Sequence, residues 1–286
     1  MTIDYDKLMR YRIPEIEQTW TARDTMLYAL GIGLGADPVD GNQLKFVYEK
    51  GIEAFPTMLA VICAPYLWLR DANIGMSGKS LQGGQSFILH GQIPAEGRFV
   101  AQPEVVRVVD KGPGKGMLVL TERKIYNKAT GDLICTASTT TFCRGDGGFG
   151  GPTKPLKAPH PIPQRAPDIT CDLAISSQAG LIYRLSGDYN PLHAEPAAAR
   201  KGGFERPILH GLCAFGMTGH AILRTCCGYE AGRLKGMEVR FSAPVYPGEV
   251  MRTQIWKEEG GVSFRALAPD RGNVVVIDNG CASLAA

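Results

Sequence analysis

One short run of this 286-residue chain places an acid, an amide and an imidazole within six positions. The three groups are Asp188, Asn190 and His193, in the run Gly187-Asp-Tyr-Asn-Pro-Leu-His193. Because Gly187 and Pro191 interrupt regular structure, the run is predicted to be a loop. A rigid loop that carries both a carboxylate and an imidazole suits acid–base chemistry, and the two groups can hold one water molecule between them.

A second motif, Pro207-Ile-Leu-His-Gly211, stands at the start of a long apolar segment. The segment from Pro207 to Arg224 is predicted to be a helix that is buried on every side and begins near His210 and Gly211. The first N–H groups of a helix have no internal acceptor, and a glycine there leaves room for a ligand. Gly211 is therefore predicted to supply an oxyanion hole for a carbonyl oxygen that becomes negatively charged.

Histidine is also the residue to consider for a metal site, and His193, His210 and His220 lie in or near these motifs. No His-Glu-x-x-His spacing or matching carboxylate spacing joins them, so no metal is expected. His210 is expected to bond the backbone at the start of the helix, and His220 is expected to be a core histidine.

Composition limits the partners and the cellular location. The net charge of +3 is too small to indicate a nucleic acid or a membrane surface as partner. The longest apolar segment, Phe55 to Leu69, is too short to span a membrane and contains prolines. The start of the chain lacks the features of a signal peptide, and the final Ser283-Leu-Ala-Ala286 is not the peroxisomal Ser-Lys-Leu address. A cytoplasmic location is expected.

The elements that must position the two motifs occur twice along the chain. In the first half, a helix is predicted from Arg23 to Leu34, with Met26, Leu27, Leu30 and Leu34 at helical spacing, and capped by Asp24 or Thr25. A strand is predicted from Gln43 to Tyr48, and a fully buried apolar helix from Phe55 to Leu69, interrupted at Pro65. Further strands are predicted at Ser86–His90, Phe99–Asp110, Met117–Asn127 and Asp132–Phe142.

The second half repeats this plan after a proline-rich stretch. Leu30 and Leu185 lie 155 residues apart in matching Tyr-x-Leu segments, and Phe87 and Phe241 lie 154 residues apart in matching strands. Such a near-constant offset indicates tandem duplication. We assign residues 1–151 to an N-terminal half, 152–168 to a crossover linker and 169–286 to a C-terminal half, all of the α+β class. Strands in the second half are predicted at Met237–Phe241, Glu249–Glu258, Val262–Ala268 and Asn273–Leu284.

The catalytic run resembles the signature of the hydratase 2 family, the (R)-specific 2-enoyl-CoA hydratases of the MaoC-like hotdog superfamily. The chain is also similar over nearly its whole length to the hydratase unit of peroxisomal multifunctional enzymes of type 2. This resemblance implies a double hotdog fold, in which each of two tandem repeats wraps an antiparallel sheet around a central helix. The residues that match the signature are Tyr183, Ser186, Gly187, Asp188, Asn190, Pro191, Leu192, His193 and Ala199.

The resemblance further implies a hydro-lyase that adds water to trans-2-enoyl-CoA to give (3R)-3-hydroxyacyl-CoA, in fatty acid β-oxidation. It implies that Asp188 and His193 are the catalytic pair with Asn190 beside them, and that no cofactor is needed beyond the CoA of the substrate. Which of the pair is the acid and which the base stays open. The family's contacts to the substrate and its CoA part fall on His90, Gly91, Lys111 and Phe241.

The first half lacks the catalytic run and is expected to be inactive, since Asp37 has no neighbouring histidine or asparagine in Gly33-Leu-Gly-Ala-Asp-Pro38. A homodimer is expected because hotdog sheets expose edges and faces that usually pair. Two alternatives are a hotdog acyl-CoA thioesterase, which would attack the carbonyl from the same oxyanion hole, and a non-catalytic acyl-CoA-binding subunit. The intact acidic and imidazole run disfavours both. Acyl chain length and pathway stay open.

Overall fold

The structure, a computed structural model, describes residues 3–66, 68–77 and 80–285, so Leu67 in the predicted Phe55–Leu69 helix lies outside the described residues. Within these ranges ten strands form one antiparallel sheet. The strands are β1 (Ile16–Trp20), β2 (Ser80–Leu89), β3 (Gly97–Asp110), β4 (Met117–Asn127), β5 (Leu133–Cys143), β6 (Ile169–Ala174), β7 (Leu234–Phe241), β8 (Val250–Glu258), β9 (Gly261–Ala268) and β10 (Val274–Leu284).

The order of the strands across the sheet is β1-β3-β4-β5-β2-β7-β10-β9-β8-β6. Each half of the chain contributes five adjacent strands in the same relative order, read outward from the centre. The halves meet where β2 pairs antiparallel with β7, with Phe87 opposite Met237 and Gln85 opposite Val239. The tandem duplication predicted from the offsets is therefore present as two matching half-sheets joined at the centre.

The helices lie before and between the strands. They are α1 (Tyr5–Arg10), α2 (Ala22–Gly31), α3 (Gly41–Val47), α4 (Trp68–Asp71), α5 (Ala179–Tyr183), α6 (Pro196–Lys201) and α7 (Gly211–Cys226), with further short 3-10 turns. Helix α7 is buried from Leu212 to Leu223, and it begins next to His210, as predicted. A β-carbon on Gly216 would lie 2.5 Å from Ile32 Cγ2, so glycine is what lets α7 pack this closely on the first half.

The matching segment of the first half is buried as predicted but helical only in pieces. A 3-10 helix spans Pro56–Ala60, and α4 begins only at Trp68. The carbonyl groups left without helical partners are satisfied by the buried side chain of Arg123, which is 3% exposed. Its guanidinium donates to the backbone oxygens of Leu59, Ala60 and Ile62 at 3.0, 2.6 and 3.2 Å.

Two predictions for the first half are wrong. The segment predicted as a strand from Gln43 to Tyr48 is helix α3, because the Asp40 side chain caps it by accepting from the N–H of Asn42. The predicted first helix is present as α2, although it ends at Gly31 and leaves Leu30 48% exposed. The cap of α2 is Thr21, which forms a reciprocal capping box with Asp24.

Residues 152–168 contain neither helix nor strand. The glycine-rich segment just before them is held by Asp110, whose carboxylate accepts from the N–H groups of Gly112, Gly148 and Gly150 at 2.7–2.9 Å. Burial raises the pKa of Asp110, but these hydrogen bonds outweigh burial and the pKa is lowered overall. All eight cysteines are free thiols. Across the described ranges, no helix has the length and apolar character needed to cross a membrane.

Candidate active site

The loop that carries the acid and the imidazole is shaped by its own side chains. Gly187 has φ of +122°, a conformation that a residue with a side chain rarely adopts. The Asp188 carboxylate accepts from the N–H of Asn190 at 3.1 Å, and the Asn190 side-chain oxygen accepts from the N–H of Leu192 at 3.1 Å. These two local bonds form successive turns and lead into the short 3-10 helix that ends at His193. The run is a loop, as predicted, and both Asp188 and Asn190 are half-buried.

His193 has one ring nitrogen engaged and one available. Its Nδ1 lies 2.9 Å from the backbone oxygen of Ile208. A carbonyl oxygen only accepts, so Nδ1 carries the proton of the neutral ring and Nε2 has a free lone pair. Burial lowers the pKa of His193 below its usual value, which favours this neutral form near pH 7. His193 is therefore prepared to take a proton at Nε2.

His210 supports both partners. Its Nε2–H donates to the backbone oxygen of Asp188 at 3.1 Å, and its ring stacks on that of His193 with centroids 3.8 Å apart. Burial and the adjacent His193 lower the pKa of His210 to about 3, so it stays neutral. The expectation that His210 bonds backbone at the start of the helix is confirmed. The acceptor, however, belongs to the loop from Gly187 to His193 and not to the helix.

The separation of these groups suits a bridging water. Each of Asp188, His193 and His210 offers an oxygen or nitrogen atom within 4.8 Å of the others. A water that forms two hydrogen bonds of about 2.8 Å at a tetrahedral angle spans about 4.6 Å. One carboxylate and two imidazoles are also groups that bind divalent metals, and the expectation of no metal here stays a prediction.

His220 does not join this group. It is 2% exposed, lies within α7, and its Nε2 contacts the hydroxyl of Tyr229 at 3.2 Å. The prediction of a core histidine is confirmed. A trio of His193, His210 and His220 is thus not the cluster that the fold assembles, since Asp188 takes the third place.

Gly211 forms a second wall of the site. It is the first residue of α7, and within the described residues no protein group accepts its N–H. A β-carbon on Gly211 would lie 3.3 Å from Gln82 Oε1 and 3.4 Å from Phe241 Cε1. The structure thus brings Phe241 next to Gly211. It adds Gln82 of β2, which no sequence pattern pointed to because Gln82 lies 129 positions earlier in the chain.

The remaining predicted contact residues are split between the two ends of β2. The Lys111 ammonium lies 4.8 Å from the centre of the Phe142 ring, and Phe142 pairs with Leu81 beside Gln82. Lys111 is therefore at the Gly211 end. His90 and Gly91 lie just past the other end of β2, eight positions from Gln82, which is roughly 26 Å along a strand. The role of His90 and Gly91 in binding CoA stays a prediction.

Unsatisfied polar atoms concentrate around the loop. Seven buried side-chain nitrogen or oxygen atoms of the described residues lack a hydrogen-bond partner, and five of them belong to residues of the Tyr183–His193 run or to residues that contact it. Buried polar atoms are almost always paired, so such a concentration marks a place for water or a polar ligand. A cavity of about 240 Å³ opens beside the loop and is lined partly by Ser186, Gly187 and Tyr189. The five atoms are Tyr66 Oη, Tyr183 Oη, Arg184 Nε, Ser186 Oγ and His210 Nδ1.

Comparison with known proteins accounts for both halves of the chain. Residues 18–145 match the family model of the MFE-2 hydratase 2 N-terminal domain, and residues 159–276 match that of the MaoC like domain. The peroxisomal enoyl-CoA hydratase 2 of Arabidopsis thaliana is 33% identical over 95% of this chain and 93% of its own length. The chain belongs to the MaoC-like hydratase 2 family.

Solved structures agree with this membership. A MaoC-like dehydratase from Phytophthora capsici superposes on this hydratase 2 family member with a TM-score of 0.85 and 32% identity, over 99% of each chain. A Mycobacterium tuberculosis protein described as a double hotdog matches with a TM-score of 0.58 and 13% identity, which bears on the fold alone, over 96% of this chain and 94% of its own. The predicted double hotdog fold is confirmed. A peroxisomal relative leaves the expected cytoplasmic location as a prediction.

Proposed function

We propose that this hydratase 2 family member is an (R)-specific enoyl-CoA hydratase. It adds water to trans-2-enoyl-CoA to give (3R)-3-hydroxyacyl-CoA, and it catalyses the reverse dehydration. The observation that carries the proposal is the His193 ring, whose Nε2 lone pair is left free by the Nδ1 bond to Ile208, and which offers a ring nitrogen within 4.8 Å of an Asp188 carboxylate oxygen. Family membership and the enoyl-CoA hydratase activity named for its relatives support it.

The reaction follows from these groups. His193 Nε2 takes a proton from the bridging water as the water oxygen bonds to C3 of the acyl chain. The C2=C3 electrons move towards C2 and the thioester oxygen, and the Gly211 N–H stabilises the charge on that oxygen. Proton delivery to C2 completes the addition, and Asp188 shares in this relay. One O–H bond of water and the C2=C3 π bond are thus broken, and one C–O and one C–H bond are formed.

Asn190 has a positioning role in this scheme. Its backbone N–H holds one oxygen of Asp188, and its side-chain oxygen caps the turn that carries His193. Both members of the catalytic pair therefore depend on one residue for their mutual geometry. This accounts for an amide between an acid and an imidazole in so short a run.

We place one active site in each chain, in the C-terminal half. At the offset of 155 residues, the position of Gly211 in the first half is Pro56, which has no N–H to donate. The position of His210 is Phe55, which cannot hold a loop by hydrogen bonding. The catalytic positions Asp188, Asn190 and His193 correspond to Gly33, Gly35 and Pro38.

The proposal extends to the binding of the CoA portion of the substrate. Lys111 is exposed at the Gly211 end of β2, where its ammonium suits a phosphate of CoA. Phe241 packs beside Gly211 and contacts the thioester end. We propose no cofactor beyond the substrate's own CoA, a homodimer as the assembly, and a place in fatty acid β-oxidation.

The test follows the absorbance of the enoyl-thioester during incubation with crotonyl-CoA and with trans-2-decenoyl-CoA, in the presence of an (S)-specific 3-hydroxyacyl-CoA dehydrogenase and NAD⁺. Loss of absorbance without NADH is expected, because the (3R) product is not a substrate of that dehydrogenase. NADH formation would overturn the stereochemistry. Release of free thiol at the same rate as the loss of absorbance would favour a thioesterase. No change in absorbance with either substrate would count against an enoyl-CoA hydratase.

A further inference from the structure

Tyr66 is a residue of the first half that reaches the active site of the second. It follows the break at Pro65, and the segment before it is fixed by the three Arg123 hydrogen bonds to backbone oxygens. The Tyr66 ring packs against Gly187, where a β-carbon would lie 3.2 Å from Cε2 and 3.9 Å from the hydroxyl oxygen. A side chain at position 187 would therefore compete with Tyr66 for space beside Asp188.

The hydroxyl of Tyr66 is buried and has no hydrogen-bond partner in the protein. Burial raises the pKa of Tyr66, and the negative charge of Asp188 raises it further. The phenol is thus neutral and able to donate one hydrogen bond. Leaving a buried donor unpaired costs about 1–3 kcal/mol, so a hydroxyl held here points to a partner that arrives with the reaction.

The position of Tyr66 narrows the choice of that partner. Its neighbours are Gly187 and Asp188, and Asp188 is one of the two groups proposed to hold the attacking water. We infer that the Tyr66 hydroxyl donates a hydrogen bond to the oxygen atom that the reaction adds at C3. That atom is the attacking water in hydration and the 3-hydroxyl in dehydration. The inference rests on the proposed hydratase function and names a further residue for it.

This role has an asymmetric kinetic signature. Enoyl-CoA has no oxygen at C3, so the hydrogen bond contributes to the hydration transition state but not to substrate binding. In dehydration, the 3-hydroxyl is present in the bound substrate as well as in the transition state. The variant Tyr66→Phe should therefore lower kcat in hydration with KM unchanged, and raise KM in dehydration with kcat nearly unchanged. The equilibrium constant is a property of the reaction alone, so kcat/KM must fall by the same factor in both directions.

The experiment measures kcat and KM of wild type, Tyr66→Phe and Tyr229→Phe, with crotonyl-CoA and with (3R)-3-hydroxybutyryl-CoA. Tyr229→Phe is the matched control, because its hydroxyl bonds His220 away from the site. We expect about a tenfold loss of kcat/KM for Tyr66→Phe, the upper range for a neutral hydrogen bond. We expect no loss for Tyr229→Phe, and no lower melting temperature for Tyr66→Phe, since the hydroxyl has no protein partner to lose.

Each other result counts against the inference. Unchanged kinetics for Tyr66→Phe would show that the unpaired hydroxyl has no part in the reaction. An equal rise of KM in both directions would place the hydroxyl on the thioester or the CoA instead of the C3 oxygen. An inactive wild type would overturn the proposed function itself, and the inference with it, whereas an active wild type confines any failure to Tyr66.

Discussion

Replacing Gly211 with proline removes the proposed oxyanion donor while the start of α7 stays intact. Proline is favoured at the first position of a helix, where its missing N–H has no helical acceptor to lose. The residue before a proline must be extended, and His210 already has φ of −58° and ψ of 134°. The first half contains the same arrangement, since Pro56 opens its 3-10 helix after Phe55 at φ of −80° and ψ of 127°.

The expected cost is catalytic. Removal of one oxyanion donor typically lowers kcat by about 10²–10³-fold, or about 2.7–4 kcal/mol of transition-state stabilisation. Folding should be unaffected or slightly favoured, because replacing glycine by proline at a compatible position lowers the entropy of the unfolded chain and so stabilises the fold by about 0.4–1 kcal/mol. The variant is expected to melt no lower than wild type while losing most of its hydration rate.

Gly211→Ala is the matched control. It adds a β-carbon 3.3 Å from Gln82 Oε1 and 3.4–3.5 Å from the Phe241 ring, but it keeps the N–H. Those contacts are tight, and the Gln82 side chain can move, so we expect a loss of roughly tenfold or less. Both variants and wild type are compared by initial hydration rate with crotonyl-CoA and by thermal melting. Equal losses in Gly211→Ala and Gly211→Pro, or full activity in the proline variant, would refute the assignment of the N–H as the oxyanion donor.

Three further substitutions test the proposed base His193, the Asp110 carboxylate that holds the glycine-rich segment before the linker, and the contact of Gly216 with the first half. His193→Asn keeps a donor for Ile208 but has no basic lone pair, so the hydration rate should fall at least about 100-fold. In the wild type, kcat/KM should drop only as pH falls through the lowered pKa of His193, below about 6.5. Asp110→Asn should lower the melting temperature at pH 7, because a carboxylate with a lowered pKa stabilises the fold above about pH 4. The difference in melting temperature from wild type should close as pH falls further, and a difference that stays constant would contradict this. Gly216→Ala should cost about 1–3 kcal/mol of unfolding free energy in denaturant titration, because its β-carbon would lie 2.5 Å from Ile32 Cγ2; wild-type stability would mean that α7 can shift.

Long strands were predictable because alternation of apolar and polar residues over many positions indicates only a strand. β4 begins and ends at the predicted Met117 and Asn127. The segment from Gln43 to Tyr48 could not be predicted correctly, because apolar residues at Leu44 and Phe46 also fit the alternation of a strand. The contact that makes it a helix is the cap by Asp40, which lies before the segment. Short edge strands such as β1 and β6, five and six residues long, gave too few alternations to be recognised.

The loop conformation of the proposed catalytic run was predictable because its turns are encoded within eleven contiguous residues, from Tyr183 to His193. The surroundings of the loop were not. Gln82 and Tyr66 come from the other half of the chain, and only the β2–β7 pairing and the packing of α7 bring them to Gly211 and Gly187. The sequence predicted that His210 bonds backbone but not which group accepts, because the acceptor lies 22 positions away on the loop that His210 supports.

The pairing of β2 with β7 joins two half-sheets that belong to one chain. Two identical subunits in the same arrangement would carry every residue twice, so the position of Gly211 could not be proline on one side and glycine on the other. Covalent continuity removes that constraint. One half is free to carry proline at this position together with a buried arginine and Tyr66, while the other keeps glycine at the start of its helix, so the two halves can contribute different groups to the proposed site.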